Sequence, residues 1–297
     1  MRDAILDSAL VVVGPGRAGT ALAGSWARAG GELLGVVGRT SASTERAARE
    51  IGTEGRSLET IWDRCGILVI AVPDDRIAAT AEDLAARVQC PVAFHLSGAL
   101  PAAILRPLTR GGASIGSLHP LRAFTGDPGD DWKGALVAVE GDARALEAGE
   151  RLASALGAEA FRISPAGKPL YHAAATLAAG GTMALLSIAV RAAADAGVPE
   201  EKARVALAQL ASESAAATAR HPHREAFTGP IARRDTETVR AHRDASADRS
   251  DFFDLYARLA REILESTSGR GGEDAIRAIL EEAAAASPGP KSRNRRP

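Results

Sequence analysis

The chain has 297 residues, 46% hydrophobic and 25% charged, with 36 Lys and Arg against 37 Asp and Glu. That is the composition of an ordinary folded protein long enough for two domains. Its even charge balance makes neither a nucleic acid nor an anionic membrane surface an expected partner. Cys65 and Cys90 lack zinc-site or disulfide spacing and read as small buried residues, so no metal is expected. The opening "MRDAILDSAL" is interrupted by Asp3 and Asp7 and does not read as a signal peptide; a reducing cytoplasm is the expected compartment.

The first half alternates β-rich runs with helical patterns. The runs are "ALVVVG" (9–14), "LLGVVGR" (33–39), "GILVIAVP" (66–73), "PVAFHLS" (91–97), "SIGSLHP" (114–120) and "ALVAVE" (135–140). Continuous apolar strands suit a sheet covered on both faces. The helical patterns at 18–29, 43–51 and 76–88 supply the crossovers of a parallel sheet. The expected fold is therefore α/β: a Rossmann-like parallel sheet with helices on both faces over 1–164. An all-helical domain should follow over 165–286, with breaks at 196–201, 221–230 and 266–272. The segment 287–297 carries no apolar anchor and is expected to be disordered.

"VVVGPGRAGTALA" sets Gly14, Gly16 and Gly19 in G-x-G-x-x-G spacing, after a strand and at the start of a helix. Gly14 permits the tight turn, Gly16 the approach of a pyrophosphate, and Gly19 close helix–strand packing. Pro15, Arg17 and Ala18 complete the loop and first helical turn, whose free N–H groups favour an anion. The second strand exits into Arg39, Thr40 and Ser41 rather than Asp or Glu. A guanidinium with hydroxyls suits a 2′-phosphate, so NADP(H) is expected over NAD(H). Arg39 stacked on adenine or facing solvent is the alternative. Val72 and Pro73 should lie near the cofactor ribose, and Asp74 should cap the next helix.

Further polar groups mark later strand ends: His95, Ser97 and Gly98 in "HLSGAL", His119 and Arg122 in "SLHPLRAF". Next, "KPLYHAAATLAAGGTMALLSIAV" (168–190) carries no charge after Lys168. A membrane span, a buried core helix and an active-site wall are the three readings. Its Ala and Gly content, the lack of a second such run and the absent aromatic belt argue against the membrane. An apolar helix is otherwise the buried centre of a larger domain. A helix starting near Pro169 puts Lys168 at its mouth, Tyr171 and His172 on its first turn, and Thr176 and Gly180 on the His172 face. Lys168 or His172 is then a candidate proton donor, with Tyr171 orienting it and His119 and Ser97 helping to position a substrate. In "AFTGPIARRDTETVRAH", Arg233 or Arg234 suits a carboxylate, and His242 lies nearby.

"GPGRAGTAL", "AVPDDRI", "HLSGAL", "SLHPLRAF", "KPLYHAAA" and "FTGPIARRDTETVRAH" together resemble bacterial proteins that join a Rossmann-like domain to a DUF2520 domain. These are relatives of the 6-phosphogluconate dehydrogenase-like and pyrroline-5-carboxylate reductase-like oxidoreductases. The resemblance implies an NADP-binding domain, a helical domain that forms a homodimer, and a cleft for a small-molecule substrate. It further implies reduction of a small carbonyl compound, such as the 2-oxo acid ketopantoate, or of a cyclic imine. Many relatives carry Ser-Asn where this chain has Ala179-Gly180, which leaves a non-catalytic NADP(H) sensor as the rival reading.

Overall fold

The computed structural model describes residues 4–53, 55, 65–127 and 129–286, so the expected disordered tail at 287–297 lies outside the described residues. The chain divides into two compact units, Met1–Ala179 and Gly180–Pro297. The division falls later than the boundary expected at residue 164, because the first turns of the long helix pack with the sheet.

In the first unit the described strands are β1 (Leu10–Val13), β2 (Leu33–Val37), β3 (Ile67–Ile70), β4 (Val92–His95), β5 (Ser114–Pro120), β6 (Leu136–Gly141) and β7 (Glu159–Arg162). They form one sheet in the order β2-β1-β3-β4-β5-β6-β7, and Gly55 adds a parallel bridge to Val36 beyond β2. Every neighbouring pair is parallel except β5 and β6. That departure from a wholly parallel sheet has a topological cause. Among the described residues no helix lies between Pro120 and Leu136, so the chain turns back instead of crossing over. The short strand β7 was not foreseen; its residues, Glu159 to Arg162, are half-buried or exposed and form no apolar run.

Helices α1 (Arg17–Arg28), α2 (Ser41–Ile51) and α3 (Asp74–Ala85) begin one to two residues before their expected starts, and α4 (Ala143–Ala155) precedes β7. Thr40 and Ser43 explain the start of α2. The Thr40 side chain accepts the Ser43 N–H at 3.2 Å, and the Ser43 hydroxyl accepts the Thr40 N–H at 3.1 Å, a reciprocal capping box. Leu22, Trp26, Phe94, Trp132 and Leu152 fill one face of the sheet; Leu68, Ile77, Leu84 and Leu105 fill the other. With both faces covered, β1 and β3 are buried throughout, as continuous apolar runs require.

The long helix starts at Lys168 with α5 (Lys168–Thr176), passes through a π turn (Leu177–Gly181) and continues as α6 (Thr182–Asp195). The π turn interrupts the regular α-helical register between Thr176 and Thr182. The run Lys168–Asp195 is long and apolar enough to cross a membrane, yet none of its most apolar window is buried within the chain. The expectation of a buried central helix is therefore not met by a single copy.

The second unit continues with α7 (Glu200–Arg220), α8 (His223–Ala226), α9 (Pro230–Arg233), α10 (Thr236–Ala245), α11 (Ser250–Ser266) and α12 (Glu273–Ala286). Ile231, Val239, Phe253, Leu264, Ile276 and Leu280 form its core. Arg234, left-handed at φ 61°, clamps that core: its guanidinium donates to the Thr267 carbonyl at 3.0 Å and to Glu273 at 2.9 Å. These bonds, and Glu273's own N–H, hold the Glu273 carboxyl down to about 2 from an ordinary 4.5. A depressed carboxyl stabilises the fold above its ordinary pKa, and the contribution is lost as pH falls through the folded value. Glu273→Gln should therefore lower the unfolding temperature at pH 7, with the gap to wild type closing between pH 4.5 and 2. Thermal melts across that range check it; a gap independent of pH contradicts the assignment.

Candidate functional site

Gly14 follows β1 at φ 94°, and a Cβ there would lie 2.8 Å from the Ala71 backbone and from the Val72 side chain. A Cβ on Gly19 would lie 2.4 Å from the Gly14 carbonyl. Those two glycines are required by the protein's own packing. Gly16 is different: it is exposed, it is the N-cap of α1, and a Cβ there would meet nothing within 4 Å. The space above Gly16 and the N-terminus of α1 thus suits an anionic group held by the first-turn N–H groups of Arg17, Ala18 and Gly19. Pro15 and Arg17 line the rim beside it.

At the exit of β2, Arg39, Thr40 and Ser41 are all exposed. The Thr40 side chain is engaged in the capping box, which leaves Arg39, Ser41 and the N-terminus of α2 as the groups that can meet a second phosphate. Val72 packs near Gly14, and Pro73 is the N-cap of α3. Asp74 does not cap that helix. It is the first helical residue, and its carboxylate accepts the Ser97 hydroxyl at 2.7 Å.

Strand register assembles the other cluster. His95 on β4 is level with Ser117 on β5, and Ser117 is level with Glu140 on β6. All three are buried, a polar row across an apolar sheet. Above it lies Lys168, at 0% exposure, whose ammonium donates to the Ser117 hydroxyl at 2.6 Å and to the Ser97 carbonyl at 3.2 Å. Lys168 therefore does not stand at a solvated mouth; it is enclosed under the turn after β4. Burial lowers its pKa to about 8, against the opposing pull of Glu140 and Asp74. The Ser97 hydroxyl donates to Asp74 and accepts the N–H groups of Ala99 and Leu100 at 3.2 and 3.1 Å, so it orders this turn.

His119, two residues beyond Ser117, bonds through Nδ1 to the Tyr171 hydroxyl at 2.9 Å and meets the His172 ring edge-on at 5.4 Å. Desolvation, then His172 and Lys168, lowers His119 to about 4; desolvation, then Lys168, does the same to His95. Burial pushes Tyr171 up to about 12. At neutral pH all three are uncharged, whereas Lys168 is protonated. His172 Nδ1 is buried without a hydrogen-bond partner and packs against Gly98.

Ser97, His119, Lys168, Tyr171 and His172 are thus brought together. Arg122 stands apart, donating to the Lys133 carbonyl at 2.8 Å. Arg233 donates to the Thr228 carbonyl at 2.6 Å, so both it and Arg234 serve the second unit's own structure, where His242 Nδ1 pairs with the Tyr256 hydroxyl at 3.0 Å. No group of three or more metal-binding side chains occurs among the described residues. Sequence reasoning missed Ser117 and Glu140. A carboxylate closing the apolar run "LVAVE" was the available signal, since a buried Glu requires a partner.

Two family descriptions cover the chain: a Rossmann-like domain over residues 1–120 and a domain of unknown function, DUF2520, over 135–263. The chain belongs to the proteins that combine these two domains. Among solved structures it is similar to a Bacteroides fragilis protein provisionally described as an NADP oxidoreductase, with TM-score 0.71, 21% identity, and coverage of 88% of this chain and 99% of that one. A Thermotoga maritima protein gives 0.69, 21%, 87% and 98% on the same measures. Plasmodium falciparum pyrroline carboxylate reductase with NADP bound gives 0.58, 13%, 94% and 98%. At such identities the likeness is one of fold. No curated protein matches the chain.

A Cβ on Gly98 would lie 2.4 Å from His172 Nδ1 and 2.7 Å from His119 Nε2. Gly98→Ala should therefore displace both rings and destabilise the protein by about 1–3 kcal/mol. Denaturant melts and the imidazole NMR resonances read this out, and an unchanged spectrum contradicts the packing described.

Proposed function

We propose that the protein is an NADP(H)-dependent oxidoreductase acting on a small anionic carbonyl compound of the 2-oxo acid type, or on the corresponding imine. One observation carries the reading. Five candidate side chains, scattered from Ser97 to His172 in sequence, gather around the Ser97–Gly98 turn at the carboxyl edge of the parallel strands, the edge that also carries the glycine cradle. Ligands of open α/β sheets bind beyond that edge.

The first turn of α1 holds the pyrophosphate, Arg39 and Ser41 the 2′-phosphate, and Val72 and Pro73 flank the ribose. A nicotinamide cofactor held there would supply the hydride for reduction of the electrophilic carbon. His172 Nε2 donates the proton to the oxygen or nitrogen being reduced. Lys168 has no exposed surface and both its observed bonds are internal, so it draws an anionic substrate through its field rather than by transferring a proton. Tyr171 fixes the His119 ring, which packs edge-on against His172.

Purified protein supplied with NADPH and a panel of 2-oxo acids and cyclic imines should turn over at least one of them. His172→Ala should lower that turnover by roughly 10²-fold with NADPH affinity nearly unchanged. Arg39→Ala should reduce the preference for NADP over NAD by about tenfold, roughly 1.4 kcal/mol. Tight NADPH binding with no turnover of any compound defeats the enzymatic reading and favours a sensor.

The reading includes a homodimer formed through the second unit. Met183, Val205 and Leu210 on α6 and α7 are 73%, 55% and 58% exposed, an unusual display of large apolar side chains. Met183→Glu with Leu210→Glu should convert a dimer to monomers in sedimentation velocity; a wild type that sediments as a monomer removes this part of the reading.

A further inference from the structure

A hydrogen-bond chain runs beneath the proposed site from Lys168 through Ser117 to Glu140, and the reaction assigns the last two no role. The Lys168 ammonium donates to Ser117 Oγ at 2.6 Å, and Ser117 Oγ lies 3.4 Å from Glu140 Oε2. The Ala102 N–H donates to the same carboxylate oxygen at 2.6 Å. Directions follow from chemistry. An ammonium only donates, so Ser117 accepts from Lys168 and has its own proton left for Glu140, which only accepts when ionised. Ser117 and Glu140 are direct cross-strand partners, so the chain is set by antiparallel register rather than by mobile surface side chains.

The electrostatics close on the same residues. A buried ammonium without a counter-charge would lose its proton, and a buried carboxylate without one would gain it. Glu140 is 6% exposed and Lys168 is not exposed at all. The groups facing Lys168 are Glu140 from β6, Asp74 from α3, His95 from β4 and His119 from β5, with His172 on its own helix. His95 and His119 both lose basicity beside it, and the carboxylates are what oppose its deprotonation.

We propose that Glu140 and Ser117 are positioning residues that keep Lys168 protonated and seated under the Ser97–Gly98 turn, making it the fixed cation of an anion-selecting site. Its use in selecting substrate rests on the oxidoreductase reading; the seat itself does not, and it is tested without cofactor or substrate. The chain has four lysines, Lys133, Lys168, Lys202 and Lys291, so the Nζ resonance of Lys168 in lysine-labelled protein is assigned by its loss in Lys168→Met.

Wild-type Lys168 should titrate near 8, and clearly lower in Glu140→Gln, with Ser117→Ala shifting it less. A purely structural role for Glu140 would leave that titration unmoved, which overturns the proposal. Should Glu140→Gln fold poorly, a double-mutant cycle decides. Lys168→Met combined with Glu140→Gln should be markedly less destabilised than the sum of the two single changes, and simple additivity overturns the seat. If the seat is confirmed but no compound is reduced, the oxidoreductase reading alone has failed.

Discussion

An ammonium group fully enclosed at the end of a β-sheet constrains everything around it. Removing such a charge from water costs several kcal/mol even after relaxation, so it persists only where acceptors and opposite charge are fixed in advance. Lys168 finds the Ser117 hydroxyl and the Ser97 carbonyl as acceptors, with Glu140 and Asp74 as the carboxylates within electrostatic reach. Each acceptor is itself anchored. Ser117 and Glu140 belong to paired strands, and Ser97 is tied to Asp74 and to two backbone N–H groups of its own turn. The turn after β4, the first residue of α3 and the start of α5 are therefore held by one polar assembly.

The same charge shapes the imidazoles. His95 and His119 are desolvated first and repelled by Lys168 as well, so neither is charged at neutral pH. A charged Lys168 beside the neutral rings of His95 and His119 gives this end of the sheet a positive field at neutral pH. Glycine at position 98 completes the arrangement sterically, because the two imidazoles of His119 and His172 occupy the volume that any Cβ would need.

Much of this was legible from residue order. Apolar runs separated by turn residues marked six of the seven strands, and the glycine spacing located the cradle before α1. β7 escaped because a half-buried strand of Glu, Ala, Phe and Arg carries no continuous apolar signal. The candidate site was half readable. Ser97, His119 and Lys168 stood out as polar groups at strand or helix ends, whereas Ser117 and Glu140 looked like ordinary strand residues until register set them level. Burial of Lys168 was likewise invisible, since a lysine at a helix start is usually solvated. The π turn at Leu177–Gly181 is a further example: nothing in an Ala- and Gly-rich run distinguishes it from a regular helix.

The reversal of direction between β5 and β6 has a consequence for any division of the chain. The Rossmann-like match ends at residue 120 and the DUF2520 match begins at 135, so the seam between the two families runs through that reversal. His95 and Ser117 lie on one side of the seam; Glu140 and Lys168 lie on the other, though all four share a compact unit. Grafting either half onto a foreign partner would sever acceptor from donor and strand an ion in the interior. A chimaera joined at that seam would have to recreate the serine as well as the fold.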